Sequence, residues 1–196
     1  MPAFDPVSRQ LRTARLLLRP LQAGDAPGLL GIYGQPQVTR HYEFDTLVDT
    51  AQAQRLLEFF VQHHDRFALI DPQRHDMIGT CGLFSWERTS NMASLGYDLR
   101  HEYWGRGLMR EAATAVLAYG FAHKQLNRVN ALVALDNERS AGVLRALGFR
   151  HEAVLREFAF WKGAYHDMHM FALLRSGLGD GAVARAMHDP GAPRNA

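Results

Sequence analysis

Cysteine is almost missing from this chain. Cys81 is the single one among 196 residues, which excludes an intrachain disulfide and a cysteine-built zinc site. That usage fits a reducing compartment, and a cytoplasmic location is expected. No stretch approaches 18 uncharged apolar residues, so no membrane span is expected. The opening Met1-Pro-Ala-Phe-Asp5 lacks the basic segment and apolar run of a secretory signal. Charge of one sign is scarce: 22 Lys and Arg face 20 Asp and Glu, an excess too small for a strong field. No Lys/Arg-rich run is interleaved with aromatics, so nucleic acid is not an expected partner. Internal repeats are absent as well.

What is present is ordinary for a globular protein with a core: 47% hydrophobic and 21% charged residues. One domain is expected over residues 13–175, after an N-terminal extension (1–12). From Ser176 to 196, Gly, Ala, Pro and Asp dominate, and a flexible C-terminal tail is expected. Thr13 to Pro20 reads as a strand stopped by Pro20, and Asp25 as the cap of a short helix ending near Gly31 or Gly34. Gln35 to Thr46 reads as loop. Ala53, Leu56, Leu57, Phe60 and Val61 share one side of a helix from about Asp49 to His63. Phe67–Ile70, Met77–Trp86 and Met92–Leu99 form an antiparallel meander. Then the texture alternates: a helix over Leu108–His123, a strand over Val129–Leu135, and a short helix over Glu138–Leu147 ended by Gly148. A closing hairpin, Phe158–Trp161 and Met168–Leu174, turns at Lys162-Gly163.

The segment Leu99-Arg-His-Glu-Tyr-Trp-Gly-Arg-Gly-Leu-Met-Arg-Glu-Ala112 carries the most chemistry. A strand ends, a tight stretch holds Gly105 and Gly107, and a strong helix starts at once. The first turn of a helix offers free N–H groups and the positive end of the dipole to an anion. Glycines let the backbone approach that anion, and Arg106 adds charge. By itself Gly-x-Gly fits a glycine-rich helix entry with no ligand equally well; it lacks the third glycine of a dinucleotide fingerprint and the Gly-Lys-Ser/Thr of a P-loop. Downstream, Asn137 suits a helix N-cap and Gly148 a left-handed C-terminal position.

Tyr103-Trp-Gly-Arg-Gly-Leu-Met-Arg-Glu-Ala112, Asp136-Asn-Glu-Arg-Ser140 and Leu147-Gly-Phe149, in that order, resemble the GNAT superfamily of N-acetyltransferases. Within it they resemble the RimJ/RimL-type branch that acetylates ribosomal-protein N-termini. Thr13-x-Arg15-Leu16-x-Leu18-Arg19-Pro20 looks like that branch's opening strand, and Gly163-x-Tyr165-x-Asp167 like its closing hairpin. The resemblance implies an α+β fold, a mixed, mostly antiparallel seven-stranded sheet flanked by about four helices. It implies acetyl-CoA as cosubstrate, no metal, and direct transfer to a primary amine without a covalent enzyme intermediate. The amides around Arg100 and from Gly105 through Arg106, Gly107 and Leu108 to Met109 would hold the pyrophosphate. The backbone of Tyr97, Asp98 and Leu99 would pair with the pantetheine arm, Gly96 would form the bulge that splays this strand from the next, and Trp104 would wall the groove. Asn137 would bond the pantetheine, and Ser140 would stand near the sulfur as a candidate acid. Apart from the resemblance, Arg145 reads equally as a phosphate contact or as part of a solvated helix face.

The chain departs from the family pattern where the acid and base commonly sit. The position four residues before Gly-Phe, often tyrosine, is Leu144. The two common carboxylate positions fall near Ser94 and at Ala159. Glu157, on the same strand face as Ala159 by alternation, is a substitute base, as are Glu43 and His41 in the loop after the first helices. Without an evident strong base, a peptide α-amine is favoured over a lysine amine, since its pKa near ~8 leaves roughly a tenth neutral at pH 7. Arg40 to Asp45 and Phe158 to Tyr165 are the expected acceptor selectors. Two alternatives stay open: a small amine such as an antibiotic or polyamine as acceptor, and a non-catalytic acyl-CoA-binding module. A monomer or a homodimer is expected. Cys81 reads as a buried strand cysteine rather than a nucleophile.

Overall fold

Apolar runs of strand length in the middle of the chain find one another as a single twisted sheet. The computed structural model describes residues 3–5, 9–179 and 181–188. The strands are β1 (Ala3–Asp5), β2 (Gln10–Arg12), β3 (Leu17–Pro20), β4 (His64–Asp71), β5 (Asp76–Glu87), β6 (Met92–Leu99), β7 (Arg128–Ala134), β8 (Arg150–Trp161) and β9 (Ala164–Leu174). They lie in the order β1-β2-β3-β4-β5-β6-β7-β9-β8. All neighbours are antiparallel except β6 and β7, which run parallel. The seven expected strands are all there. Two short ones, β1 and β2, precede them in the stretch expected as an extension.

The helices are α1 (Ala26–Tyr33), α2 (Pro36–Thr39), α3 (Thr50–His63), α4 (Leu108–His123), α5 (Glu138–Ala146) and α6 (Ala182–His188). Four match the expected ones. The single turn of α2 lies in the stretch read as loop, and α6 lies in the stretch read as tail, where Val183 and Ala184 are buried beside α4. Ala53, Leu57 and Phe60 line the inner side of α3, whose start is capped by Asp49 accepting from the Gln52 N–H at 2.7 Å. Asp25 does not cap α1: its carboxylate is held by both Arg19 guanidinium nitrogens at 2.7 Å.

Alternate residues of β4 feed two cores on opposite faces of the sheet. Phe67 and Leu69 join α4 and α5, whereas Ala68 and Ile70 join α1 and α3. The sheet comes apart in its middle. β6 and β7 pair only at Met92–Arg128, Ala93–Val129 and Ser94–Asn130. Beyond those pairs β6 stays with β5 and β7 stays with β9, leaving a wedge between them. The expected bulge at Gly96 is not the cause, because the β5–β6 register runs unbroken from Gly79–Leu99 to Phe84–Ser94 and shifts only toward Glu87. The glycine instead relieves packing: a Cβ there would lie 3.0 Å from the Phe84 ring, which would have to shift.

Candidate active site

Backbone N–H and C=O groups left without a strand neighbour are open to a ligand. From Leu95 to Leu99, β6 has a neighbour on its β5 side alone, so an extended molecule in the wedge can pair with it as an added strand. The end of β6 is fixed by Trp104, whose indole N–H donates to the Leu99 carbonyl at 2.7 Å. The following loop reaches Gly105 and Gly107, both at φ +73°, and Gly107 is the N-cap of α4. Those dihedrals are left-handed, where a Cβ is strained. A Cβ on Gly105 would meet nothing within 4 Å, so backbone conformation and not space sets that choice. Leu108 and Met109 bury their side chains in the core and present only amides at the positive end of a 16-residue helix.

This loop is braced from the N-terminal segment. Arg15 donates to the Arg106 carbonyl at 2.9 Å and to Glu111 Oε2 at 2.7 Å, and Thr13 Oγ1 donates to Glu111 Oε1 at 2.5 Å. Burial opposes the Glu111 charge, but the Thr13 and Arg15 hydrogen bonds outweigh it and hold the carboxyl below its ordinary range.

Across the wedge stands the start of α5. Asn137 Oδ1 accepts from the Ser140 N–H at 3.2 Å and caps the helix. The Tyr97 hydroxyl, reaching over from β6, lies 2.8 Å from Ser140 Oγ and donates to the Ser140 carbonyl at 3.2 Å. Burial pushes this phenol above its ordinary value, so it stays protonated at neutral pH although the Ser140 bond pulls the other way. One residue before, the Arg139 guanidinium sits 5.0 Å above the Trp104 ring.

At the open end of the wedge is a cavity of about 310 Å³, lined by Arg40, His41, Ala134, Leu135, Asp136, Trp161, His166 and Asp167. Arg40 pairs with Asp136 Oδ2 at 2.7 Å, and His41 Nε2 lies 2.8 Å from Asp136 Oδ1. The His166 ring stacks on Trp161 at 3.8 Å and 4°, while His41 meets the same indole edge-on at 6.3 Å. The 40–46 loop is pinned on two further sides. Tyr42 donates to Asp98, and Lys162 donates to Asp45 Oδ1 at 2.6 Å and to the Phe44 carbonyl at 3.0 Å. Asp98 itself is buried with Arg66, Tyr33 and Thr80. Burial and the Asp98 charge push the Tyr33 and Tyr42 phenols up, and despite its own burial Arg66 stays charged because Tyr33, Asp98 and Tyr42 face it.

The structure therefore gathers Tyr97, Leu99, Trp104 and the Gly105–Met109 loop on one side of the wedge, with Asn137 and Ser140 opposite. Several expected residues stand elsewhere or act differently. The Asp98 side chain turns into the buried network, so only its backbone faces the wedge. The Arg100 N–H, expected to face the pyrophosphate, donates instead to the Ile78 carbonyl at 2.9 Å, and its side chain packs against α1, where a Cβ on Gly31 would lie 2.7 Å from the guanidinium. Arg145 is engaged by Glu138 at 3.1 Å within its own helix. Glu157 is not brought to the cavity. Two extra residues bulge out of β8 between the pairs Leu155–Met168 and Ala159–His166, which breaks the alternation that put Glu157 on the Ala159 face. Its N–H donates to Asp167 Oδ1 at 2.8 Å, its φ is +49°, and its side chain is exposed. Glu43 is exposed and does not line the cavity. Cys81 is buried and burial pushes its thiol up to about 12, so it remains protonated and is a poor nucleophile.

Asp136 and Asp167 are the carboxylates that sequence reading passed over. Asp136 sat inside a capping motif and Asp167 inside a hairpin motif, and neither signalled a cavity. Among the described residues no three His, Cys, Asp or Glu side chains gather as a metal site, and no helix is long and apolar enough to cross a membrane.

Known proteins are similar to this chain in sequence and fold. A family profile described as an acetyltransferase (GNAT) domain matches residues 15–150. An uncharacterized N-acetyltransferase, p20, of Bacillus licheniformis is 33% identical over 170 residues, covering 84% of this chain and 96% of that one. The [ribosomal protein uS5]-alanine N-acetyltransferase of Escherichia coli is 28% identical over 177 residues, covering 84% and 90%. The crystal structure of spermidine N-acetyltransferase from Vibrio cholerae, in complex with CoA and spermine, superposes with a TM-score of 0.74 at 22% identity, covering 84% of this chain and 98% of that one.

Proposed function

Since this chain belongs to the GNAT acetyltransferase family and is an acyltransferase that uses acetyl-CoA, we propose that its acceptor is the α-amine of a protein or peptide N-terminus, held in the cavity at the open end of the wedge. The observation that carries this reading is the continuity of the two spaces. Ala134, Leu135 and Asp136 prolong the β7 wall of the wedge and also line the cavity. An amine in the cavity thus faces a thioester laid along β6.

The chain's own groups divide the work. The left-handed glycines and the first amides of α4 hold the pyrophosphate. The unpaired edge of β6 orients the pantetheine arm, and an amide from Tyr97 to Leu99 polarises the acetyl carbonyl. Ser140, bonded to the Tyr97 hydroxyl at 2.8 Å, returns a proton to the departing sulfur. An α-amine near pKa ~8 needs less help to lose its proton than a lysine near ~10.4. The ribosomal-protein relative supports the N-terminal reading. We place the protein in the cytoplasm, as a monomer or homodimer.

A second reading, a small polyamine-like acceptor, is favoured by the cavity itself, where Asp136 and Asp167 suit a cation. Turnover of N-terminal peptides against spermidine and aminoglycosides separates the two. Higher kcat/KM for peptides supports the first reading and the reverse overturns it. A thermal-melt titration precedes it: a ligand at 100 times its Kd adds roughly ~2.7 kcal/mol to the native state. Acetyl-CoA and CoA are expected to raise the midpoint and ATP and NAD are not. No shift with acetyl-CoA and no turnover with any amine would leave neither reading standing.

A further inference from the structure

The bend between β2 and β3 reaches the first turn of α4. Its tip is closed on itself: the Thr13 N–H donates to the Leu16 carbonyl at 2.9 Å, and the Leu16 N–H donates to Thr13 Oγ1 at 3.0 Å. From that fixed tip Arg15 spans two points of the loop and helix. Its Nη1 donates to the Arg106 carbonyl at 2.9 Å and its Nε to Glu111 Oε2 at 2.7 Å. Glu111 is the anchor. Its Oε1 accepts from Thr13 Oγ1 at 2.5 Å and from the Arg15 backbone N–H at 2.8 Å, so the carboxylate grips both the tip and the guanidinium.

The contact with the Arg106 carbonyl decides which way the next amide faces. A trans peptide is planar, with its C=O and N–H on opposite sides. Because the Arg106 carbonyl is drawn to Arg15, the Gly107 N–H of the same peptide unit points the other way. In the sheet β3 lies three places from β6 on one side, and the wedge opens on the other. The Gly107 N–H is thereby turned from the β2–β3 bend toward the wedge. Gly107, at φ +73°, gives this peptide little steric resistance to rotation. Rotated, it would present a carbonyl where an anion needs a donor. The Gly107 carbonyl, by contrast, accepts the Glu111 N–H at 3.1 Å as the first bond of the helix, and the amides ahead of Glu111 stay open.

We propose that Arg15, anchored by Glu111, is a positioning residue that aims the Gly107 amide at the pyrophosphate of acetyl-CoA. The inference rests on the acetyl-CoA reading given above and deepens it. The Arg15 side chain is 50% exposed, so its ion pair adds little to folding, and its work is local to the loop.

The test uses the full chain and calorimetric binding of CoA. Arg15→Met keeps most of the side-chain length and no donor. It is expected to weaken CoA binding about 10- to 100-fold, the worth of a hydrogen bond to a charged group. The KM for acetyl-CoA should rise with it, while kcat at saturating acetyl-CoA holds. S-acetyl-pantetheine, which lacks the pyrophosphate and nucleotide, should be turned over by variant and wild type with the same kcat/KM. A general loosening of the fold would lower both donors alike, and that result overturns the assignment. So does wild-type CoA affinity in Arg15→Met. The double variant Arg15→Met/Glu111→Gln should stay weak. If it regains wild-type affinity, Arg15 only neutralises Glu111 and aims nothing. Should Arg15→Met melt far below wild type, Arg15→Leu is judged on the same measurements. A wild-type chain that binds no CoA defeats the acetyl-CoA reading itself, whereas wild-type binding indifferent to Arg15 defeats only the positioning role.

Discussion

On the β6 side of the wedge the contacts are made by backbone and by buried side chains, whereas on the β7 side they are made by exposed side chains from distant segments. The Arg66–Asp98 pair behind β6 is 5% and 4% exposed, and the Arg40–Asp136 pair beyond β7 is 68% and 55% exposed. The difference matters energetically. A buried charge that loses its partner keeps its full desolvation cost, while an exposed one is rehydrated. The wall that holds backbone amides at fixed positions is rigid. The other wall is assembled from exposed parts that can be exchanged without unfolding the sheet.

The largest expected effect tests the rigid wall. Asp98→Ala strands Arg66 and frees Tyr33 and Tyr42, and it should lower unfolding free energy by about 3–5 kcal/mol in urea titrations. A loss under ~1 kcal/mol would erase the contrast. Next, Gly107→Val forces a β-branched residue to φ +73° and should lose about 1–2 kcal/mol, together with the acetyl-CoA-dependent rise in melting midpoint. A variant that still responds to acetyl-CoA would show that the loop conformation is not what holds the ligand.

A smaller effect concerns pH. Burial, then the Arg66 and His63 charges, lower the His64 pKa to about 4 from an ordinary 6.5. The unfolded chain therefore takes up the proton first. Stability from this group is complete above about pH 6.5, falls as pH drops toward about 4, and is level below. His64 is stacked between Phe60 and Phe84 but remains partly exposed, so the effect is short of the full shift. His64→Asn should flatten the melting midpoint between pH 6.5 and 4, and an unaltered slope would assign the acid sensitivity elsewhere. Smallest of all, Arg40→Ala should change unfolding free energy by less than ~1 kcal/mol, since its ion pair is exposed. A cost near that of Asp98→Ala would mean both walls are structural.

The same contrast explains what could be read from the chain. The β6 wall is contiguous: strand end, Gly105, Gly107 and helix start fall within fourteen residues, and each signal is local. Even Thr13 and Arg15, legible only as a family pattern, take their meaning from Glu111 within that helix. The cavity is not local. His41, Asp136, Trp161 and Asp167 meet only after the sheet has formed, and no spacing announces them. The opening of the wedge is a matter of which strand pairs with which, so Gly96 pointed near the right place for a packing reason rather than a bulge. Glu157 failed because period-two alternation assumes an unbroken ladder, and the Asp167 carboxylate stabilises a break in it.

That break has a consequence away from the cleft. β8 is the last strand of the sheet, and Val154, Phe158 and Phe160 are exposed along it. An open border of that composition is a template on which a second chain could lay a strand, and then a third. With two surplus residues bulged out between Leu155 and Ala159, no straight run long enough for such stacking survives. The distortion that keeps Glu157 out of the cavity thus also interrupts the edge on which such stacking would start.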